Sequence, residues 1–140
     1  MTTLSRFMQA RAAEKAAEFT AKQLERNAKA RFAQGTRQAY EEQRQGRLMI
    51  SNARAAMAGS GTSTTDAGAT TQLANIKATA DYNALSAVFG AKSEAQGIFE
   101  KAQAVRYEGK TKANAQRVKA VSTVLSDAMK IRENWNANNP

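Results

Sequence analysis

The residues of this chain best suited to binding a ligand are lysines and arginines that recur along its first half. On a helix turning 100° per residue, nine of them fall within one sector about 100° wide. These nine residues, called the basic ridge, are Arg11, Lys15, Lys22, Arg26, Lys29, Arg37, Arg44, Arg47 and Arg54. The glutamates of the same segment lie at the edge of that sector or outside it; they are Glu14, Glu18, Glu25, Glu41 and Glu42. Such a ridge favours contact with a phosphate backbone, which is independent of base sequence and sensitive to salt.

A row of cations has other interpretations as well. Most charge rows are solvated faces that keep a protein soluble. A basic amphipathic helix can also lie on an anionic membrane, although the opposite face here is mainly alanine and glycine rather than large apolar residues. The formal net charge of +9 favours a polyanionic partner of either kind, nucleic acid or membrane surface. Tyr40 lies in the basic sector, where it could stack on a base.

Residue patterns typical of catalysis are absent from the sequence. The chain has no cysteine and no histidine, which removes thiolate nucleophiles, most zinc sites and the usual general base. Glu41 and Glu42 are adjacent, so on a helix they point in different directions, a poor geometry for paired acid and base. Residues 59–61, Gly-Ser-Gly, lack the lysine and the following serine or threonine of a phosphate-binding loop. We expect no enzyme activity, no metal and no cofactor.

Two long helices are expected to position the basic ridge. The single proline, Pro140, is the last residue, and the abundant Ala, Gln, Glu, Lys and Arg all favour helix. The one clear break is a segment rich in glycine, serine and threonine. We predict an all-α hairpin forming one domain, with helix one over about 3–57, a turn over 59–71, helix two over about 71–135 and a polar tail over 136–140. Gly59 suits the end of helix one, and Thr70 or Thr71 can accept hydrogen bonds from the free backbone N–H groups at the start of helix two.

Small and apolar residues supply the packing surface that such long helices require. They recur mostly three or four residues apart, and their register repeats every eleven residues. The predicted packing stripe consists of Ala17, Leu24, Ala28, Phe32, Gly35, Ala39, Ile50, Ile76, Ala87, Ile98, Gly109, Ala120 and Ile131. An eleven-residue repeat matches a nearly straight or slightly right-handed supercoil. We predict that the stripes pack the hairpin and assemble copies into an oligomeric helical ring or tube.

Gly35 and Gly109 belong to this stripe, and Gly46 falls on the same eleven-residue series as Gly35. Inside a helix each costs about 1 kcal/mol relative to alanine. One interpretation is that close approach of two backbones compensates for this cost. The alternative is that the glycines break the hairpin into several shorter helices. We favour close approach and leave the alternative open.

The order and composition of several segments carry a family resemblance that covers most of the chain. These segments are the Gln- and Arg-rich first helix, residues 52–58 running into the turn at 59–62, and residues 80–84, 91–104 and 120–128. In them the chain resembles the internal virion proteins of tailed bacteriophages. These are small DNA-ejection proteins stored in the capsid near the portal.

The resemblance implies a structural protein that is packaged with the genome and expelled into the host envelope on infection. Its implied partners are further copies of itself, portal or other virion proteins, phage DNA through non-specific phosphate contacts, and the host envelope. The chain lacks the apolar N-terminal segment and the longer C-terminal extension of some family members. We therefore expect docking on portal or tail components rather than membrane insertion.

Two other functions stay open on the sequence alone. One is a capsid scaffolding or head-to-tail connector protein that binds proteins and not DNA. The other is a small, non-specific nucleic-acid-binding protein of the cytoplasm, recognisable by steeply salt-dependent binding without particle association.

Overall fold

The computed structural model describes the backbone of residues 3–138 and the side chains of residues 4–132. The chain forms two α-helices, α1 (Thr3–Gly59) and α2 (Ala67–Asn138), which pack against each other as a hairpin. There is no strand between residues 3 and 138. The predicted all-α hairpin is confirmed.

The helix bounds differ from the predicted ones mainly around the turn. Helix α2 begins at Ala67, four residues earlier than predicted, so the turn comprises only residues 60–66. At its other end α2 includes residues 136–138, which were predicted as tail. Residues 139 and 140 of the predicted tail lie outside the described residues.

Helix α1 ends in a Schellman motif centred on Gly61, where φ is +74°. The N–H of Gly61 donates to the carbonyl oxygen of Ala58 at 3.3 Å, and the N–H of Thr62 donates to that of Met57 at 3.0 Å. These two bonds satisfy carbonyls that the helix leaves free, and the positive φ suits glycine because it has no Cβ. The glycine that ends the helix is therefore Gly61, whereas Gly59 is still helical.

The start of α2 is not capped as the sequence suggested. The carbonyl oxygen of Asp66 accepts the N–H of Thr70 at 2.9 Å, so Asp66 is the residue that precedes the helix. The hydroxyls of Thr70 and Thr71 donate to the carbonyl oxygen of Ala67, at 3.0 and 2.7 Å. Both threonines thus lie inside the first turns of α2, and the prediction that they cap free N–H groups is wrong.

The core of the described part of the chain consists of alanine and glycine. Its buried residues are Ala10, Ala21, Ala28, Gly35, Ala39, Gly46, Ala69, Ala84, Ala91, Ala95, Ala102, Gly109, Ala113 and Ala120. Among residues 4–132 no larger side chain is fully buried. Because each buried methyl-sized group stabilises by only about 0.8 kcal/mol, the hairpin depends on many such contacts.

Contacts divide the chain into two compact units, each containing a segment of both helices. Unit 1 comprises Met1–Glu25 and Phe99–Pro140, and unit 2 comprises Arg26–Ile98.

Within each unit the two backbones approach most closely at glycines of the predicted stripes. The facing pairs are Gly35 with Ala91 and Gly46 with Ala80 in unit 2, and Gly109 with Ala17 in unit 1. A Cβ built on any of the three glycines would lie well under 3.0 Å from the alanine Cβ, a separation that real Cβ atoms essentially never show. The predicted close approach is confirmed, and both helices run through these glycines without a break.

The three facing pairs define a single register, because the residue numbers in each pair sum to 126. The same register sets Ala28 opposite Ile98 in unit 2 and Leu24 opposite Ala102 in unit 1. The two alanines are 0% exposed. Each pair combines a small with a larger residue, which permits the short interaxial distances typical of helices with small side chains at the contact.

Most of the packing stripe lies between the helices, and two members do not. Ala28, Gly35, Ala39, Gly109 and Ala120 are buried, and Ala17, Leu24, Ile50, Ile76, Ala87 and Ile98 are half-buried. Phe32 is 43% exposed, because helices spaced to fit alanine leave no room for a phenyl ring. Ile131 is 69% exposed, and the described residues include no register partner for it.

Candidate nucleic-acid interface

The basic ridge lies on the surface of α1. All nine of its side chains are exposed, three in unit 1 (Arg11, Lys15, Lys22) and six in unit 2 (Arg26, Lys29, Arg37, Arg44, Arg47, Arg54). Lys22 lies 3.8 Å from Glu18 and Arg44 lies 3.9 Å from Glu41, both long surface ion pairs within one helix. Such exposed ion pairs contribute little free energy, so the cations of the ridge remain available to a ligand. Tyr40, in the same sector, is 70% exposed.

The glutamates of α1 in unit 1 form their closest ion pairs with arginines of α2. The guanidinium of Arg106 donates to both oxygens of Glu18, at 2.9 and 3.2 Å, and to Glu25 at 2.5 Å. Arg117 donates to Glu14 at 2.8 Å. These carboxylates therefore neutralise cations of α2 and leave the cations of the ridge available.

In unit 2 the interhelical ion pair has its cation on α1 and its anion on α2, the reverse of the arrangement in unit 1. Arg31 of α1, which lies outside the ridge, donates to Glu94 of α2. Asn83 of α2 donates to Glu42 of α1 at 3.5 Å. Each unit thus contains an arginine–glutamate ion pair that joins its two helix segments.

The interhelical pairs are charged at neutral pH. The hydrogen bond from Arg106 is the main cause that lowers the pKa of Glu18; burial opposes it, and Lys22 and Lys110 add weaker attraction. The hydrogen bonds to Glu18 and Glu25 in turn raise the pKa of Arg106. In unit 2 the pKa of Glu94 is lowered mainly by its hydrogen bond from Arg31.

A groove of about 510 Å³ between the helices of unit 1 brings ridge residues together with cations of α2. This cationic groove is lined by Arg11, Glu14, Lys15, Ala17, Glu18, Arg106, Lys110 and Arg117. Five of these side chains are cations and two are anions. The arrangement suits an anionic ligand with more than one charge, such as a run of phosphates.

Sequence reasoning identified only the α1 half of this groove. Around the axis of α2 the lysines and arginines are scattered, so nothing in that helix alone singles out Lys110, Arg106 or Arg117. The one signal that could have found two of them is spacing. Arg106 and Arg117 lie eleven residues apart, as do Glu14 and Glu25, with which they pair.

A second groove, of about 320 Å³, lies within unit 2 and has a different character. Its lining includes the amides Gln45, Gln72, Asn75 and Asn83 beside the apolar Ile76, and it contains no lysine or arginine. It offers no positive charge to hold a phosphate.

Among the described residues, no group of three or more side chains could hold a metal ion. In the same part of the chain, neither helix has a stretch apolar and long enough to cross a membrane. No protein-family model, curated protein or solved structure matches this chain. Its function is therefore inferred from its own residues and surfaces.

Proposed function

We propose that this chain is a structural protein of a tailed-phage virion that assembles near the portal and takes part in ejecting the genome, without enzyme activity. The observation that carries the proposal is the basic ridge: nine exposed cations on one helix, of whose neighbouring glutamates three, Glu14, Glu18 and Glu25, pair with arginines of α2. Cations in such a row bind phosphates and release counterions, which makes binding independent of sequence and steeply dependent on salt. The resemblance of residues 52–62, 80–84, 91–104 and 120–128 to internal virion proteins supports the virion setting.

Support for assembly comes from the end of α2 in unit 1. Arg6, near the start of α1, donates to the carbonyl oxygen of Lys119 at 3.0 Å and to Oγ1 of Thr123 at 2.5 Å. Helix α2 continues beyond these contacts, and within the described residues the register gives the positions after Thr123 no partner in α1. Four apolar side chains of that part of α2 are 49–69% exposed: Val124, Leu125, Met129 and Ile131. Val124 and Ile131 continue the face of α2 that packs on α1, which favours packing against a second copy.

The total solvent-exposed area of the chain also supports assembly. The chain exposes 10490 Å², whereas a folded monomer of 15.1 kDa exposes roughly 7,100 Å². The difference exceeds the roughly 1,200–2,000 Å² that a stable protein interface buries. Burial of part of this surface between copies is what a ring or tube would provide.

The test is mass photometry of the purified protein at low and high salt, with and without a short DNA duplex. The ridge variant carries Arg26→Gln, Arg37→Gln and Arg47→Gln. The control variant carries Lys92→Gln, Lys101→Gln and Lys130→Gln, which remove the same charge from exposed positions of α2. We expect salt-sensitive DNA complexes for the wild type and the control. For the ridge variant, we expect the slope of log affinity against log salt to shrink by about 2.7.

Equal weakening of both variants would contradict the ridge as the DNA-binding surface. A wild-type protein that stays a small, salt-indifferent species and ignores DNA would contradict the whole proposal. The exposed apolar side chains at the end of α2 would then favour the second candidate, a scaffolding or connector protein. Its absence from mature particles would indicate a scaffold. DNA binding without any particle association would instead indicate a small nucleic-acid-binding protein.

A further inference from the structure

We infer that the cationic groove of unit 1 binds two adjacent phosphate groups, supplied either by a nucleic-acid backbone or by a short polyphosphate. For the nucleic-acid source, this inference rests on the proposed function, because it names the place on the hairpin where the backbone is held most firmly. For the polyphosphate source, it stands on the groove alone.

The balance of charge in the groove carries the inference. Both carboxylates of its lining are already occupied, Glu14 by Arg117 and Glu18 by Arg106. Arg11, Lys15 and Lys110 remain, and none of the three forms an ion pair with any residue of the described part of the chain. Three cations without an ion-pair partner thus surround one groove, and their charge exceeds that of two successive phosphates by one.

The close approach of the helices explains why these cations converge. Lys110 directly follows Gly109, whose missing Cβ lets α2 come against Ala17 at the floor of the groove. Arg11 and Lys15 are one helical turn apart on α1, with Cβ atoms about 6 Å from each other. A ligand in the groove is thus reached by two cations spaced along one helix and by a third from the opposite helix.

Arg106 and Arg117 have a positioning role in this arrangement. Their guanidinium groups are committed to Glu18, Glu25 and Glu14, so they add positive potential without changing partner. They also hold the two carboxylates of the lining in ion pairs, which weakens the competition of these carboxylates with a phosphate for Lys15 and Lys110.

The experiment uses the full-length chain and two probes: tripolyphosphate, followed by isothermal titration calorimetry, and a mixed-sequence DNA duplex, followed by fluorescence anisotropy at several salt concentrations. The groove variant is Lys15→Gln with Lys110→Gln. The matched control is Lys101→Gln with Lys119→Gln, two exposed lysines of unit 1 that do not line the groove. A third protein, Lys15→Arg with Lys110→Arg, keeps the charges. Circular dichroism verifies the helix content of all three.

We expect one tripolyphosphate per wild-type chain, with affinity at least about tenfold weaker in the groove variant and nearly unchanged in the control and arginine variants. If nucleic acid is the source, the salt slope for the duplex also falls by about 1.8 in the groove variant alone. Loss of tripolyphosphate binding with unchanged duplex binding would assign the groove to free polyphosphate.

Two results would overturn the inference. One is equal weakening by the groove and control variants; the basic ridge could still bind DNA in that case, and the proposed function would survive. The other is a wild-type chain that binds the duplex but no tripolyphosphate, with a duplex affinity that the groove variant leaves unchanged. A wild-type chain that binds tripolyphosphate in the groove but ignores DNA would instead overturn the proposed function and leave the groove site standing.

Discussion

Arg106 holds two glutamates of α1 at once, and the residues of this trio lie between fully exposed and fully buried. The side chains of Arg106 and Glu25 are 29% and 31% exposed, and that of Glu18 is 44% exposed. Water screens such a trio incompletely, and its hydrogen bonds are charge-assisted. The pairs therefore help to fix which residues of the two helices lie opposite each other, a role that alanine contacts repeating every eleven residues fill only weakly.

At the residue scale, Glu18→Gln tests whether this trio stabilises the fold. Because the pKa of Glu18 is lowered from an ordinary value of 4.5, the ionised carboxylate stabilises the folded state above that pH. This stabilisation is lost as the pH falls through the lowered pKa. We therefore expect Glu18→Gln to unfold at a lower temperature than the wild type at about pH 7, and the difference to shrink at about pH 3.

Thermal unfolding followed by circular dichroism at both pH values measures this difference. The matched control is Glu100→Gln, at an exposed position of α2 in the same unit. It should unfold close to the wild type at both pH values. A Glu18→Gln deficit that persists unchanged in acid would mean that the side chain acts through packing and not through its charge.

At the scale of the helices, stability depends on how closely the two backbones approach. In unit 2, Gly46 faces Ala80 with no space for another Cβ, whereas nothing lies within 4 Å of a Cβ built at Gly97. Gly97→Ala should raise the free energy of unfolding by up to about 1 kcal/mol, because alanine favours helix over glycine. Gly46→Ala should lower it by about 1–3 kcal/mol, because the helices must separate.

A compensating substitution makes this test specific. Adding Ala80→Gly to Gly46→Ala moves the missing Cβ to the other helix and restores the space, so it should recover part of the lost stability. Urea unfolding midpoints of the wild type, the two single glycine variants and the double variant measure the effect. A double variant less stable than Gly46→Ala would contradict close approach at this position.

The sequence predicted the helices and their contact residues better than it predicted their ends. Gly35, Gly46 and Gly109 were recognised because a glycine on an apolar stripe needs a reason to be tolerated. The cap at Gly61 was missed in favour of Gly59, since a segment with several glycines does not show which one takes the positive φ. Phe32 was placed on the stripe by its spacing alone, which says nothing about the room left between the helices.

Half of the cationic groove lay beyond sequence reasoning for a related reason. Periodicity shows which residues share a face of one helix, so Arg11 and Lys15 could be assigned to the ridge. It does not show which residue of another helix lies opposite them. The register that brings Lys110 beside them is set by contacts between helices, above all at Gly109, and these appear only in the folded chain.

At the scale of the whole molecule, the proposed assembly assigns the contact between copies to the apolar end of α2. Val124→Asp with Ile131→Asp places two charges on the face that continues the packing stripe, and we expect it to shift assemblies toward monomer. The control, Ser122→Asp with Ser126→Asp, adds the same charge at exposed polar positions of the same region. Mass photometry over a range of protein concentrations measures both. A control that dissociates as much as the test variant would show that added charge, and not this face, governs assembly.

The single register of the facing glycine and alanine pairs has a consequence for the length of such a chain. Eleven residues advance a helix by about 16.5 Å and return its stripe to nearly the same face. Eleven residues inserted into α1 and eleven at the facing point of α2 would pair with each other, and every existing pair would keep its partner. An insertion in one helix alone would misalign all pairs on one side of it. The hairpin can therefore be lengthened or shortened by eleven residues in both helices at once. Such a change would alter its length and leave every existing pair in contact.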